Sequence, residues 1–421
     1  MSTIELPLPR LRLDQWEIVV HPAKTKVLAM GRRWGKSVLG QCVALSTAVA
    51  GGRVAWIVPT YKNGRPLWRL IEAAVGPLKK LGLVRVNRSE RTVEFPNTGG
   101  LLAIYSMDNP DSIRGEAFHL AIVDEAAMIG EEAWTDCIQP TLADYDGDAI
   151  LISTPKGRNW FWKEFQRGLT DMADGGTQCA AFTAPTSDNP SPNIQKAARL
   201  AKERVPENTY RQEWRAEFLE DGGTVFRGVG KVKSPKRPKP YAGTFVMGLD
   251  WGKENDFTSV WVQDALTGEQ VDHDRFNQVG WSVQRGRVVT MFLKWMPLII
   301  LAEENSIGGP NIEALQDEGL PILGFNTNTA TKGRLIVSYV LSIERREVSI
   351  FDEQVIVSEL EGYESAKSKT TGRMVYGVQP GHDDTVISGA LADWARVHLK
   401  ELLAAMAGEQ FVPDDTEERF I

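Results

Sequence analysis

Met30-Gly31-Arg32-Arg33-Trp34-Gly35-Lys36-Ser37 follows the apolar run Val27, Leu28, Ala29 and opens into Val38 and Leu39. A strand, a glycine-bearing loop and a helix that begins at Lys-Ser is the layout of a phosphate-binding loop. In such a loop backbone N–H groups wrap the phosphates, Lys36 offsets their charge, and the Ser37 hydroxyl ligates Mg²⁺. Met30 stands where these loops usually carry their first glycine, and Arg32 and Arg33 sit inside the loop. Taken alone, the stretch also reads as a chance Gly-Lys-Ser in a basic turn. The rest of the chain decides.

Four short apolar runs, at 27–30, 54–58, 120–123 and 149–152, each end in a polar or glycine-bearing segment. Apolarity that is continuous rather than alternating suits parallel strands covered on both faces by helices. Ligands of such sheets bind at the carboxyl ends of the strands. Pro59-Thr60-Tyr61 follows the second run and Asp124-Glu125-Ala126 the third. An acid at a strand tip can hold the Mg²⁺ shell while the next carboxylate polarises the attacking water, a Walker B pattern with Asp124 and Glu125 in those roles. After the fourth run, Ser153-Thr154-Pro155-Lys156-Gly157 supplies strand-end hydroxyls of the kind that sense a γ-phosphate.

Gln15, with Trp16 behind it, precedes the phosphate loop as does the adenine-reading Gln of many nucleic-acid motors, whose amide donates and accepts at once. An exposed helix residue is the alternative. Arg114, in Ser112-Ile113-Arg114-Gly115, is either a finger completing a neighbour's site or a solvated charge, and Arg32 and Arg33 are rivals for the same transition-state role.

A chain of 421 residues exceeds one ordinary core, and 42% apolar with 24% charged residues is a globular composition. No apolar run reaches membrane-spanning length and residues 1–10 carry no signal-peptide pattern, so cytoplasm is the expectation. Cys42, Cys137 and Cys179 are scattered, which suggests neither a disulfide framework nor a zinc site. The net charge of −7 argues against coating nucleic acid indiscriminately, while leaving a local basic strip at Lys231, Lys233, Lys236, Arg237 and Lys239. Pro235, Pro238 and Pro240 interleave with that strip, the composition of a semi-rigid linker. The reading is therefore a P-loop domain over 1–225, with a helical lid around 160–225 that includes an amphipathic helix over 210–218. A linker follows over 226–240, then a second domain over 241–400 and an acidic, disordered tail over 401–421.

In the second domain, Gly248-Leu249-Asp250 ends a strand, the run at 298–302 ends in Glu303-Glu304-Asn305, and Gly381-His382-Asp383-Asp384 precedes a helical pattern of Val386, Ile387, Ala390, Leu391 and Trp394. Two strand-end carboxylates and one at a helix start are what a two-metal nuclease of the RNase H type needs, because two divalent ions about 3.5–4 Å apart share acidic ligands and clamp the attacking and leaving oxygens of a phosphodiester. Side chains alternate along a strand, so only one of Glu303 and Glu304 can face such a site. Extrapolating the helix phase back from the buried stripe points Asp383 toward the sheet, with Asp384 about a quarter turn away as a secondary ligand and His382 at the rim.

With both sets of motifs in order, the chain resembles the large terminase subunit of tailed bacteriophages from Gln15 to about Leu399. The resemblance implies an α/β architecture in which a P-loop, ASCE-type ATPase domain with a mostly parallel sheet is followed by an RNase H-like nuclease domain. It implies ATP and Mg²⁺ as cofactors, with Mn²⁺ an alternative at the nuclease site. Partners implied are double-stranded DNA, a small terminase subunit, a portal protein and further copies of the chain in a ring on the procapsid, with a monomer as the free form. Carried over residue by residue, Gln15 contacts adenine, Met30 to Ser37 hold the phosphates and Mg²⁺, Asp124 holds the Mg²⁺ shell, Glu125 orients water, and Ser153 with Thr154 couples hydrolysis to movement. The family's Glu-x-Asn-x-x-Gly spacing selects Glu303 as the second nuclease ligand. A DNA-remodelling ATPase that binds DNA without cutting it is the alternative, and an adaptor that uses ATP structurally is a third reading.

Overall fold

The run that precedes the phosphate loop forms β1 (Thr25–Met30), the seventh of eight strands across one sheet. The computed structural model describes residues 8–219, 224–236, 241–252, 256–305, 308–367, 374–378 and 382–407. The chain divides into two compact units, Met1–Asp221 and Gly222–Ile421.

The first unit contains β2 (Arg53–Val58), β3 (Arg85–Asn87), β4 (Thr92–Phe95), β5 (Gly100–Ser106), β6 (Leu120–Asp124), β7 (Asp148–Ser153) and β8 (Cys179–Ala184). Their order is β3-β4-β5-β2-β6-β7-β1-β8, parallel throughout except at the β3-β4-β5 edge. β7 thus lies between the phosphate-loop strand and the Asp124 strand, and Ile152 is level with both Leu28 and Asp124. Helices α1 (Leu13–Val20), α2 (Lys36–Val49), α3 (Gly64–Lys80), α4 (Trp160–Ala173), α5 (Pro192–Arg204) and α6 (Glu207–Glu213) complete the unit.

The central strands β1, β2, β6 and β7 are continuously apolar over 27–30, 54–58, 120–123 and 149–152 because both faces are covered there. Leu28, Val54, Trp56, Ile122 and Ile152 pack with Leu39 and Leu45 of α2 and Trp68 and Ile71 of α3. Their neighbours Val27, Ala29, Ala55, Ile57, Val123 and Leu151 pack on the other face with Phe161 and Phe165 of α4. The stretch read as wholly helical after Trp160 holds β8, whose Cys-Ala-Ala-Phe-Thr-Ala sequence carries little β-branching and is recruited by pairing with β1. The helix expected over 210–218 is instead α6, which stops before Trp214, and Ala216 then adopts a positive φ of 59° that no helix continues through.

The second unit begins at Gly222, ahead of the expected linker, and takes residues of that linker into its core. Phe226, Val229 and Val232 are buried in its core, and β9 (Lys233–Ser234) pairs with β15 (Ile350–Phe351). Lys233 is paired with Asp352 and Lys236 with Glu353, so these lysines are not a free basic strip, while Arg237, Pro238, Lys239 and Pro240 lie outside the described residues. The main sheet runs β12-β11-β10-β13-β14, built from β10 (Phe245–Asp250), β11 (Thr258–Asp264), β12 (Gln270–Phe276), β13 (Ile299–Glu303) and β14 (Ile322–Phe325). The first three form an antiparallel meander, and the last two add in parallel to β10 and to each other, which is the RNase H-like arrangement. A separate hairpin joins β16 (Tyr363–Lys367) to β17 (Met374–Val378). α7 (Trp281–Trp295) and α8 (Gly308–Asp317) cover one face, with Val288 and Leu315 against Met247, Leu249, Ile300 and Ala302. α9 (Thr329–Glu344), α10 (Gln354–Glu361) and α11 (Asp384–Val397) cover the other, with Leu335, Ile356 and Val386 against Val246 and Leu301. The tail expected from 401 begins inside α12 (Leu399–Met406), and residues 408–421 lie outside those described.

Candidate functional site

Two groups of polar residues collect at strand ends, one in each unit. In the first, Gly35 caps α2 with φ 114°, a left-handed conformation that glycine takes without strain, and α2 then opens with Lys36 and Ser37. Lys36 is buried, and its Nζ donates to the carbonyls of Met30 (2.8 Å) and Gly31 (3.2 Å). Burial lowers its pKa, against the pull of Glu125 and Asp124. Asp124 ends β6, and its carboxyl is pushed up to about 6 by burial and by neighbouring Glu125, against Lys36. Glu125 adopts φ 51°, a costly conformation for a non-glycine residue that concentrates at functional sites, and accepts a long 3.4 Å hydrogen bond from Ser153 Oγ. Ser153 and Thr154 are both buried at the end of β7. Lys36, Asp124, Glu125 and Ser153 are therefore brought together from three strand ends.

Gln15 is 2% exposed, which removes the reading of a solvated helix residue. Its amide Nε2 donates to the Gly35 carbonyl (3.1 Å) and its Oε1 accepts from Arg12 N–H, so it buttresses the phosphate loop. Trp34 is buried in the core beneath the loop, and Arg12 lies over its ring. Arg33 is exposed with φ 61°, and its carbonyl accepts from Asn189. Arg32 Nε donates to Glu213 Oε2 at 2.7 Å, and Lys156 pairs with the other oxygen of the same carboxylate. Glu213 was not singled out by the sequence, because nothing near it in the chain marks it. It meets the phosphate loop only through the tertiary fold, with its own carbonyl accepting from Arg32 N–H. Arg114 lies apart from this group, 59% exposed and paired with Asp111.

In the second unit Asp250 is the last residue of β10 and Glu303 the last of β13. They share a face with Val246 and Leu301, toward α11, and at Gly248 a Cβ would overlap the α11 backbone at Ser388 and Ala392. Burial raises the Asp250 carboxyl well above its ordinary value, reinforced by Glu303, then Asp384, then Asp383. Glu303 accepts from Asn305 Nδ2 (3.1 Å) and from the Thr327 hydroxyl. Glu304 is exposed on the opposite face, over Gly324.

The helix whose phase was expected to turn Asp383 toward the sheet starts one residue later. α11 begins at Asp384, and Asp383 is its N-cap with φ −124°, so the helical phase cannot be extended back to it. The Asp384 side chain is 10% exposed and that of Asp383 31%. Asp383 pairs with Lys332 at 3.2 Å and Asp384 with Arg275 at 3.2 Å. The Asp384 carboxyl is pushed up to about 6 by burial and by Glu359, against Arg275. His382 stands half exposed, 3.9 Å from both Asp256 and Asp384. Ser306, Ile307 and Gly381 lie outside the described residues.

Among the described residues, no three His, Cys, Asp or Glu side chains already converge as a metal-ligand set. The donor chemistry nonetheless suits a hard divalent cation: Asp250 and Glu303 are carboxylates held against each other under burial, a pairing that such a cation relieves. At the other site Asp124 and the Ser37 hydroxyl offer the same oxygen chemistry beside Lys36.

The family model "Terminase large subunit, T4likevirus-type, N-terminal" matches residues 28–229. The chain is 28% identical over 419 residues to the terminase large subunit of Thermus virus P23-45, covering 89% of this chain and 86% of that one. The large terminase ATPase domain of Thermus phage P74-26 is 28% identical, covering 50% of this chain and 94% of that one with a TM-score of 0.42. The large terminase nuclease of thermophilic phage G20c with bound magnesium is 24% identical, covering 41% of this chain and 97% of that one with a TM-score of 0.39.

Proposed function

From a chain that belongs to the large terminase subunits of bacteriophages, we infer an ATPase joined to a metal-dependent DNA endonuclease that together package and cut viral DNA. The finer reading is ATP-driven packaging of double-stranded DNA into a procapsid, coupled to two-metal cleavage of concatemers, by a ring of copies working in the host cytoplasm with a portal and a small terminase subunit. The observation that carries it is the presence in one chain of a Lys36-Asp124-Glu125 group on one sheet and an Asp250-Glu303-Asp384 group on another.

In the first unit Mg²⁺ with ATP supplies the polarised γ-phosphoryl group. Lys36 exchanges its two loop carbonyls for phosphate oxygens, so its charge is delivered where negative charge develops. Ser37 and Asp124 provide oxygen ligands, and Glu125 orients the attacking water. Ser153, bonded to Glu125 from β7, reports the state of that carboxylate to the adjoining strand. Gln15, which braces Gly35, would read adenine through the amide hydrogen and lone pair that its bonds to Gly35 and Arg12 leave over. In the second unit divalent metal supplies the charge that activates water and steadies the leaving oxygen. Asp250, Glu303 and Asp384 would hold it, with Asp383 at the margin. Thr327 and Asn305 fix the Glu303 carboxylate, and Glu304 faces away.

The test is incubation of the full chain with supercoiled plasmid, with and without Mn²⁺ and ATP. Metal-dependent linearisation lost in Asp250→Asn supports the nuclease reading. A chain that turns over ATP but leaves the plasmid intact in both metals is a DNA-remodelling ATPase instead.

A further inference from the structure

Arg275 is a cation that faces Asp384, and nothing in the sequence pointed to it. It projects from β12, cross-strand from Ser259, whose hydroxyl bonds Ser388 of α11, so Arg275 lies on the α11 side of the sheet. Its guanidinium stacks 3.5 Å from the centroid of the Phe257 ring, and its side chain is 16% exposed. One terminal nitrogen serves two carboxylates, Glu359 Oε1 at 3.0 Å and Asp384 Oδ2 at 3.2 Å, while its buried Nε has no hydrogen-bond partner. A strong arginine–carboxylate pair uses two parallel N–H bonds. Here neither carboxylate receives that geometry, and an unmatched buried donor is left over.

The two carboxylates are not equally free to leave. Glu359 also accepts from Thr385 N–H (2.9 Å) and Thr385 Oγ (2.5 Å), which fasten it to the first turn of α11. His382 Nδ1 also lies 3.9 Å from Asp384. We propose that Arg275 is a positioning residue that holds Asp384 until a divalent cation arrives, competes with that cation for the carboxylate, and then stays on Glu359 and Phe257 when Asp384 is released. This rests on the nuclease reading above.

The experiment is calorimetric titration of the nucleotide-free full chain with Mn²⁺, comparing wild type with Arg275→Met, Arg275→Gln and Arg275→Lys, and repeating Arg275→Met in an Asp384→Asn background. Removing the competing charge should tighten Mn²⁺ binding roughly tenfold in Arg275→Met and in Arg275→Gln, which keeps a planar polar end if the apolar variant folds poorly. Arg275→Lys should return the affinity toward wild type, and in Asp384→Asn the gain from Arg275→Met should vanish. Unchanged or weaker binding in folded Arg275→Met and Arg275→Gln overturns the proposal, as does an equal gain with and without Asp384. Wild type that binds no Mn²⁺, or whose binding survives Asp250→Asn unaltered, overturns the nuclease reading and this inference together.

Discussion

Lys36 makes two hydrogen bonds to its own loop, and burial already works against its charge, so it gains more from a phosphate than a solvated lysine would. Lys36→Ala should therefore cut ATP turnover by roughly 10²- to 10³-fold, the scale of losing one preorganised electrostatic contact. Retained turnover in a phosphate-release assay would refute this. Glu213 gives a residue-level test of the loop's surroundings. Burial alone raises its carboxyl pKa, but Lys156 and Arg32 outweigh burial and hold it below the ordinary 4.5. A depressed carboxyl stabilises the fold above its unfolded value and loses that contribution as pH falls through the folded one. Glu213→Gln should thus lower stability by about 2 kcal/mol at pH 7. The gap from wild type in thermal melts should close as pH drops below 4.5. A gap that persists or widens in acid would show that the ion pairs are not what Glu213 contributes.

At the scale of elements, β10 and α11 form the central contact of the second unit. The α11 backbone rests against the glycine two residues before Asp250, at a position where any Cβ overlaps Ser388 and Ala392 backbone atoms rather than a side chain that could swing away. Gly248→Ala should push α11 off the sheet and carry Asp384 with it. The expected cost is about 3 kcal/mol of stability, at the upper end for overpacking, together with loss of Mn²⁺-dependent plasmid cleavage and normal ATP turnover. Cleavage at wild-type rate would mean that the close approach of α11 to Gly248 is not what places Asp384. What was legible in the sequence follows the same elements. The four central parallel strands could be read because burial on both faces gives each an unbroken apolar run. β8 and the β3-β4-β5 edge could not, since their strand character comes from pairing with a neighbour. The strand-end positions of Asp250 and Glu303 were legible because each closes an apolar run, while preferring Glu303 to Glu304 took the family spacing. The choice between Asp383 and Asp384 was not, since it turned on whether the first residue was inside the helix. Glu213, Arg275 and Glu359 meet their partners across 181, 109 and 26 residues of chain, and no local pattern encodes such distances.

For the whole molecule, the question is whether one chain is a complete ATPase. Lys36, Asp124, Glu125 and Ser153 assemble within the first unit, but the remaining arginine candidates do not simply join them. Arg32 is engaged by Glu213, Arg33 is exposed with a left-handed backbone, and Arg114 pairs with Asp111 while both are well exposed. An exposed pair of this kind is worth little and can be given up for a phosphate on an adjacent copy. If Arg114 serves a neighbour, dilute monomer should turn over ATP slowly, and assembly into a ring should raise the rate by up to about 10³- to 10⁵-fold. Arg114→Ala and Glu125→Ala proteins should each be inactive when assembled alone. Mixed, they should recover part of the wild-type rate, because some interfaces then pair an intact Arg114 from one copy with an intact Glu125 on the other. Arg114→Ala that hydrolyses ATP normally, or mixtures with no recovery under conditions where wild type is stimulated by assembly, would remove Arg114 from the reaction and leave Arg32, released from Glu213, as the arginine to pursue.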